Sequence, residues 1–312
     1  MVREKFTERQ EEIFRYFKEG KIQELHRLLV KTEQDYPERM EKICLWRACA
    51  FASQLEYDAA ISVLQEAIHN GIWWHPQLLK NDSDLKPLHE KKEFTEILAQ
   101  CFKQFEEHKI KAESKLFIYG NKEANTSIYS LHWRGGNAED FSSFWLDNKT
   151  ERNYMFGFPQ SSQVFGLHAY SWDDKQKAML EIQPAYEEFQ KTFAAENRIV
   201  GGASQGGALA LELCLKEQLL KVDGFIAVIP VIKDDNFINS LISNEIIPPL
   251  RGCLITGDQD PFFKQTAELQ KELEDINIPC KLIIKKGMGH SIGDDFTKDL
   301  TDAVDFILNV EE

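Results

Sequence analysis

Ser204 lies in the stretch "RIVGGASQGGALALELCL", inside a run from Gly201 to Gly207 that holds four glycines. Glycine at that density raises the entropy lost on folding, so some local geometry must require it. A serine hydroxyl is a weak nucleophile at neutral pH unless a base takes its proton during attack, and that base needs an acid to orient it. Two later stretches hold these residue types: "GDQDPFF" carries Asp258 and Asp260, and "KLIIKKGMGHSIGDDF" carries His290. The order serine, acid, histidine suits a nucleophile on a strand-to-helix turn whose partners follow on later loops. The chemistry such a set performs is acyl transfer through attack on a carbonyl carbon.

The elements that must position these groups follow from the flanking residues. "RIVGG" reads as a buried strand and "QGGALALELCL" as an apolar helix, so Gly202 to Gly206 form a G-x-S-x-G turn in its strand-to-helix context. On so sharp a turn the serine takes a strained backbone conformation. Side chains two positions to either side would strike the neighbouring strand and helix, and Gly207 leaves room for close helix packing. The hydroxyl then stands at a helix N-terminus, whose N–H groups favour developing negative charge. "GCLITG" leads into the acid loop and "CKLIIK" into the histidine loop, both at the carboxyl edge of a sheet. Asp258 and Asp260 are equally ionisable, so the residues alone leave either open as the acid. Of the other histidines, five fall before residue 112, His132 ends a strand, and His168 precedes the acid.

Beyond residue 112 the pattern is of short apolar strands alternating with helices. The strands are "KLFIYG", "SIYSLHW", "NYMFGF", "NRIVGG", "GFIAVI", "GCLITG" and "CKLIIK"; the helices are "NAEDFSSFW", "DKQKAMLEIQPAYEEFQKTF", "QGGALALELCLKEQ", "FFKQTAELQKELEDI" and "DDFTKDLTDAVDFILN". That alternation predicts an α/β fold, a mostly parallel sheet with helices on both faces. Residues 1–112 have almost no glycine and place apolar residues three and four apart, which predicts an all-α region. Thr7 with Gln10 forms a candidate capping box, Gly20 and Gly71 candidate helix ends, and Pro37 a helix start.

In "LWRACAFASQLEYDAAISVLQEAI", Ala48, Phe51, Tyr57, Ala60, Leu64 and Ala67 fall at the packing positions of a tetratricopeptide hairpin, with a weaker echo at Tyr16, Ile22, Leu25, Leu29 and Pro37. This part resembles a short tetratricopeptide-like array; a generic helical bundle would use the same residues. Hairpins need neighbours to cover them, and the stretch around Trp73, Trp74 and His75 supplies packing there rather than a binding site. The expected organisation is a helical domain over 1–112 and a catalytic domain over 113–312.

Composition bounds the function classes. At 312 residues, with 43% hydrophobic and 28% charged side chains, the chain has an ordinary globular make-up. It shows no secretory leader and no apolar run near the ~20 residues of a membrane span, so a cytoplasmic protein is expected. The net charge of −14 lies almost wholly after residue 112 and repels phosphate backbones and anionic headgroups, which argues against nucleic acid and membrane as partners. Six cysteines without a C-x-x-C pair read as free buried thiols, and the two glycosylation sequons at Asn125 and Asn148 as chance matches. Neither a metal nor an organic cofactor is implied, since the glycine run lacks the nucleotide-loop patterns.

Residues 113–312 resemble an α/β-hydrolase of the phospholipase/carboxylesterase and dienelactone hydrolase group through "LHWRGGNAEDF", "GASQGGALA", "GDQDPF", "GMGHSIGDDF" and the tryptophan–acid pair of "AYSWDD". The resemblance implies Ser204 as nucleophile, Asp260 as acid and His290 as base. It also implies an oxyanion hole from the N–H of Gln205 and, by position, that of Arg134. Where His-Gly is usual, this chain has His132-Trp133, and a tryptophan takes glycine's positive φ only at a cost. By loop assignment Trp133, Trp172, Phe262 and Met288 line an apolar acyl or alcohol pocket, or serve as packing. The expected activity is a serine hydrolase of carboxylesterase type acting on a small or short-chain ester or thioester. A peptidase or amidase on the same triad is one alternative. Another is an impaired hydrolase scaffold whose helical domain binds a protein or peptide partner.

Overall fold

The computed structural model describes residues 2–215, 220–233, 237, 249–293 and 295–308. The chain divides into two compact units, Met1–Lys111 with Val164–Leu167, and Ala112–Gln163 with His168–Glu312. The division is thus not a single cut: four residues from within the second part belong to the first.

The helical unit holds α1 (Val2–Glu19), α2 (Ile22–Asp35), α3 (Met40–Ser53), α4 (Tyr57–His69), α5 (Pro76–Asn81) and α6 (Lys92–Lys111). Gly20 and Gly71, at φ +66° and +78°, follow α1 and α4, and Pro37 opens a 3-10 turn before α3. The capping box expected at Thr7 and Gln10 falls inside α1, because buried Phe6 and Ile13 carry the apolar stripe back into the first turns. Of the tetratricopeptide-like positions, Ala48, Ala60, Leu64 and Ala67 are buried in one core with Trp73, Trp74 and Phe94, while Phe51 and Tyr57 pack at its margin. Leu25 and Leu29 sit in a second core with Phe6, Ile13, Tyr36 and Ile43. The indole of Trp74 donates to the Glu41 carbonyl at 2.7 Å, so this tryptophan serves packing.

In the second unit run β1 (Lys115–Gly120), β2 (Thr126–Leu131) and β3 (Tyr154–Gln160). Two short strands follow, β4 (Val164–Gly166, within the helical unit) and β5 (Ala169–Tyr170). Then come β6 (Asn197–Ala203), β7 (Gly224–Val228), β8 (Arg251–Gly257) and β9 (Cys280–Lys285). Seven of them form a sheet in the order β1-β3-β2-β6-β7-β8-β9, in which β1 is antiparallel to β3 and every other pairing is parallel. The unit's helices among the described residues are α7 (Ala138–Trp145), α8 (Thr150–Asn153), α9 (Lys175–Phe193), α10 (Gln205–Leu215), α11 (Phe263–Asp275) and α12 (Phe296–Leu308). The "KEQ" expected to finish the helix after Ser204, and Asp294 and Asn309 of the last expected helix, lie outside the described residues.

Alternate strand residues feed two cores, because successive side chains in a strand point to opposite faces. Tyr129, Val200, Phe225 and Leu254 pack with Ile182, Tyr186, Leu209 and Leu269 of α9, α10 and α11. Ile128, Ile199, Ile226 and Ile255 pack with Phe141, Trp145, Phe296 and Leu300 of α7 and α12. Burial on both faces explains why the central strands read as near-continuous apolar runs. Among the described residues no helix is long and apolar enough to cross a membrane.

Candidate active site

β6 ends at Ala203 and α10 begins at Gln205, so Ser204 alone makes the turn, at φ +55°. That left-handed conformation costs a non-glycine residue about 1–2 kcal/mol. Hydrogen bonds hold it: the Ser204 N–H donates to the Val228 carbonyl at 2.9 Å, and the Ser204 carbonyl accepts from Ala208 and Val231. A Cβ on Gly202 would run into the Gly206 carbonyl, and one on Gly206 into the carbonyls of Leu131 and His132. Backbone, which cannot swing aside as a side chain can, therefore dictates two of the four glycines. Gly201 instead makes room for the Trp145 ring, whose nearest atom would lie 2.8 Å from an added Cβ.

The loop after β8 carries Asp260 and the loop after β9 carries His290. The Asp260 side chain is fully buried; its Oδ1 accepts from the Phe262 N–H at 2.8 Å and its Oδ2 lies 2.9 Å from His290 Nδ1. His290 Nε2 lies 2.9 Å from Ser204 Oγ. A carboxylate on Nδ1 keeps the proton on that nitrogen and leaves the Nε2 lone pair facing the serine hydroxyl. Asp258 is occupied elsewhere: its Oδ1 accepts from the Gly287 N–H at 2.7 Å and ties down the turn after β9. The geometry joins Ser204, His290 and Asp260 and leaves Asp258 outside. The two loops lie against each other, since Gln259 donates to the Met288 carbonyl at 3.0 Å and a Cβ on Gly257 would overlap that carbonyl. Lys285, paired with Asp295 at 2.7 Å and Asp299 at 2.8 Å, braces the base of the histidine loop.

The loop between β2 and α7 runs past the same turn. His132 is wholly buried, and burial pushes its pKa down to about 4, so the ring is neutral near pH 7. Its Nδ1–H donates to the Trp133 carbonyl at 2.9 Å, while Nε2 accepts from the Ser161 N–H and the Gln160 amide at 3.4 Å. The positive φ expected to strain Trp133 falls on Gly135 instead, at +77°, so tryptophan in place of glycine carries no such strain here. Gly135 donates to the Tyr170 carbonyl and Tyr170 to that of Gly136, each at 2.8 Å.

Asp173 draws the surrounding side chains together. Arg134 binds it through Nε and a terminal nitrogen, both at 2.8 Å, and Gln205 Nε2 donates to the same carboxylate at 2.8 Å. The Gln205 amide oxygen accepts from the Trp172 N–H at 2.9 Å.

The four expected pocket residues fare differently. Phe262 stands edge-on to His290, with ring centroids 5.6 Å apart, and Met288 is half-buried beside the acid loop. Trp133 is half-buried with its ring against Phe141 and Phe144. Trp172 is only 2% exposed; its indole donates to the His132 carbonyl at 3.0 Å and its ring covers the imidazole, so it is part of the loop's support. Sequence reasoning missed Asp173 and Gln160 as members of this network. The acid after Trp172 in "AYSWDD" was the available signal for the first; nothing marked the second. Among the described residues one group of metal-capable atoms, from Cys49, Asp82 and Asp84 in the helical unit, lies within 4.8 Å, and there the Cys49 thiol, pushed up by burial, donates to Asp82.

Comparison with known proteins matches residues 174–308 to the phospholipase/carboxylesterase family and residues 5–109 to the N-terminal domain of A/B hydrolase-like proteins. A crystal structure of an uncharacterized protein from Bacillus cereus ATCC 10987 is similar over 97% of this chain and 98% of its own, at 24% identity and a TM-score of 0.52. That of esterase PE8 is similar over 63% of this chain and 99% of its own, at 21% identity and a TM-score of 0.51. At those identities the likeness is one of fold. No curated protein is similar in sequence to this chain at a significant level.

Proposed function

We propose, for a chain whose C-terminal part belongs to the α/β-hydrolases of the phospholipase/carboxylesterase group, that it is a serine hydrolase cleaving a small or short-chain ester or thioester. The observation that carries this reading is the relay from Ser204 Oγ to His290 Nε2 and from His290 Nδ1 to Asp260 Oδ2, each 2.9 Å. Ser204 attacks the carbonyl carbon while His290 takes its proton, and buried Asp260 stabilises the imidazolium that forms. The N–H groups of Gln205 and Arg134 receive the oxyanion at the N-terminus of α10. His290 returns the proton to the leaving alkoxide or thiolate, and the acyl group stays on Ser204. Water, activated by the same imidazole, then releases the acid. Phe262 and Met288, half-buried beside the relay, suit a short apolar acyl or alcohol group.

The helical unit, with its tetratricopeptide-like spacing, is a surface for a peptide or protein partner in this reading, and the setting is cytoplasmic, in keeping with six free buried thiols. The test is hydrolysis of p-nitrophenyl acetate, butyrate and octanoate at pH 8 by the wild type, Ser204→Ala and His290→Ala. Each variant is expected to lose at least about 10⁴-fold in kcat with unchanged circular dichroism, and the ester chain length preferred by the wild type sizes the pocket. Turnover surviving in Ser204→Ala sinks the assignment.

A further inference from the structure

We infer that Asp173 is the positioning residue of the oxyanion hole, holding its two donors at a set separation through their own side chains. This rests on the reading of Ser204 as nucleophile. The two proposed donors are backbone N–H groups on different elements, that of Arg134 on the loop after β2 and that of Gln205 at the start of α10. Neighbouring strands and helices fix each locally. The distance between them, on which stabilisation of a tetrahedral intermediate depends, is set by the close approach of Gly206 to the Leu131 and His132 carbonyls together with any link between the two donors' own residues. Asp173 supplies one, because the side chains of these same two residues converge on its carboxylate.

Its Oδ1 accepts from Arg134 Nε and from Gln205 Nε2, and its Oδ2 from the second nitrogen of the Arg134 fork, all at 2.8 Å. A bidentate guanidinium–carboxylate pair fixes orientation as well as distance, since both groups are planar. The Arg134 side chain beside it also holds the Asp173 carboxyl below the usual carboxylate range, so the link stays charged at neutral pH.

The segment before Asp173 strengthens the clip. Tyr170 exchanges backbone bonds with Gly135 and Gly136, the Trp172 N–H reaches the Gln205 amide oxygen, and the Trp172 indole reaches the His132 carbonyl. Residues 170–173 thus grip the loop after β2 on one side and the first residue of α10 on the other. An ordinary exposed ion pair contributes little and its loss would leave turnover alone. A clip between two oxyanion donors has a different signature: its removal weakens the transition state and spares the ground state.

The experiment measures kcat and KM for p-nitrophenyl acetate, and the inhibition constant of a short alkyl trifluoromethyl ketone. Ser204 Oγ adds to the ketone carbon, its proton passes to His290, and the alkoxide so formed occupies the hole. Asp173→Ala is expected to lower kcat by about 10–100-fold, less than the 10²–10³ for outright loss of a donor. KM stays within about threefold, and ketone binding weakens in step with kcat. Asp173→Ala combined with Gln205→Ala is expected to lose less than the product of the two single losses, because both cut the bond between Gln205 and Asp173.

Asp173→Asn, isosteric but uncharged, keeps the shape if the alanine variant does not fold; a fall of about tenfold in kcat is then expected, as one acceptor position becomes a donor facing a donor. A kcat within twofold of wild type in the folded variant, or a raised KM at unchanged kcat, overturns the inference while Ser204→Ala remains inactive. Activity surviving in Ser204→Ala overturns instead the assignment of the nucleophile, and the two failures are told apart by that variant.

Discussion

The two units bury different things. In the helical unit the described core is apolar save for Thr32, whose hydroxyl donates to the Leu28 carbonyl in its own helix and accepts from Arg9 of α1. In the α/β unit the core also takes in His132, Gln160, Ser161, Ser162, Glu212 and Asp260. Backbone strain follows the same division: among described non-glycine residues with positive φ, Leu55 lies in the helical unit, and His168, Ala194, Ser204, Ile229 and Asn277 lie in the other. A stack of helices satisfies its backbone internally and needs only matched apolar faces. A site needs polar groups held at angles that regular structure does not supply. The α/β unit meets this with strained turns and buried hydrogen bonds that the surrounding sheet is large enough to sustain.

The largest effect expected of this contrast separates two carboxylates two residues apart. Asp260→Asn should lower kcat by about 10⁴-fold, because the amide favours the wrong imidazole tautomer. Asp258→Asn retains an oxygen for the Gly287 N–H and should stay within about threefold. Comparable losses in both would dissolve the distinction between a buried orienting acid and a turn-capping one.

Next in size, Leu64→Ala in the helical core, where Leu64 is fully buried, should cost about 2–5 kcal/mol in thermal or urea unfolding. Its kcat for p-nitrophenyl acetate should be unchanged, and a fall in turnover would break the proposed division between a packing region and a chemical one.

A smaller effect comes from the neutral imidazole at the centre of the polar network. The folded pKa of His132, about 4, lies below the ordinary 6.5, so the unfolded chain takes up the proton first as pH falls. Stability from this group is complete above pH 6.5 and drains between 6.5 and 4, by up to about 3 kcal/mol. His132→Asn, which still offers an N–H to the Trp133 carbonyl and does not titrate, should flatten the acid limb of a plot of unfolding free energy against pH. An unchanged limb would mean that the buried histidine does not govern it.

Much of the site was legible because its parts are local. Four glycines around Ser204, an acid loop after "GCLITG" and a histidine after "CKLIIK" each belong to one turn. Backbone sterics act over a few residues, so a glycine forced by the Gly206 or Leu131 carbonyl leaves its mark within the motif. The seven sheet strands were legible for the same reason, through runs of apolar residues between turn signals. The antiparallel orientation of β1, the short α8, β4 and β5, and the start of α1 were not. Each is decided by what packs on it or pairs with it.

The sequence by itself determined an α/β unit following a helical one along the chain, the strained serine turn, and which residue types could serve it, because periodicity and steric exclusion are read within a dozen residues. Only the tertiary structure decided that Asp260 and not Asp258 faces His290, that Gly135 and not Trp133 takes the positive φ, and that Asp173 gathers Arg134 and Gln205. Those outcomes depend on angles and distances between loops brought together from 29 and more positions apart. A hydrogen bond is won or lost over a few tenths of an ångström, which no spacing along a chain can specify.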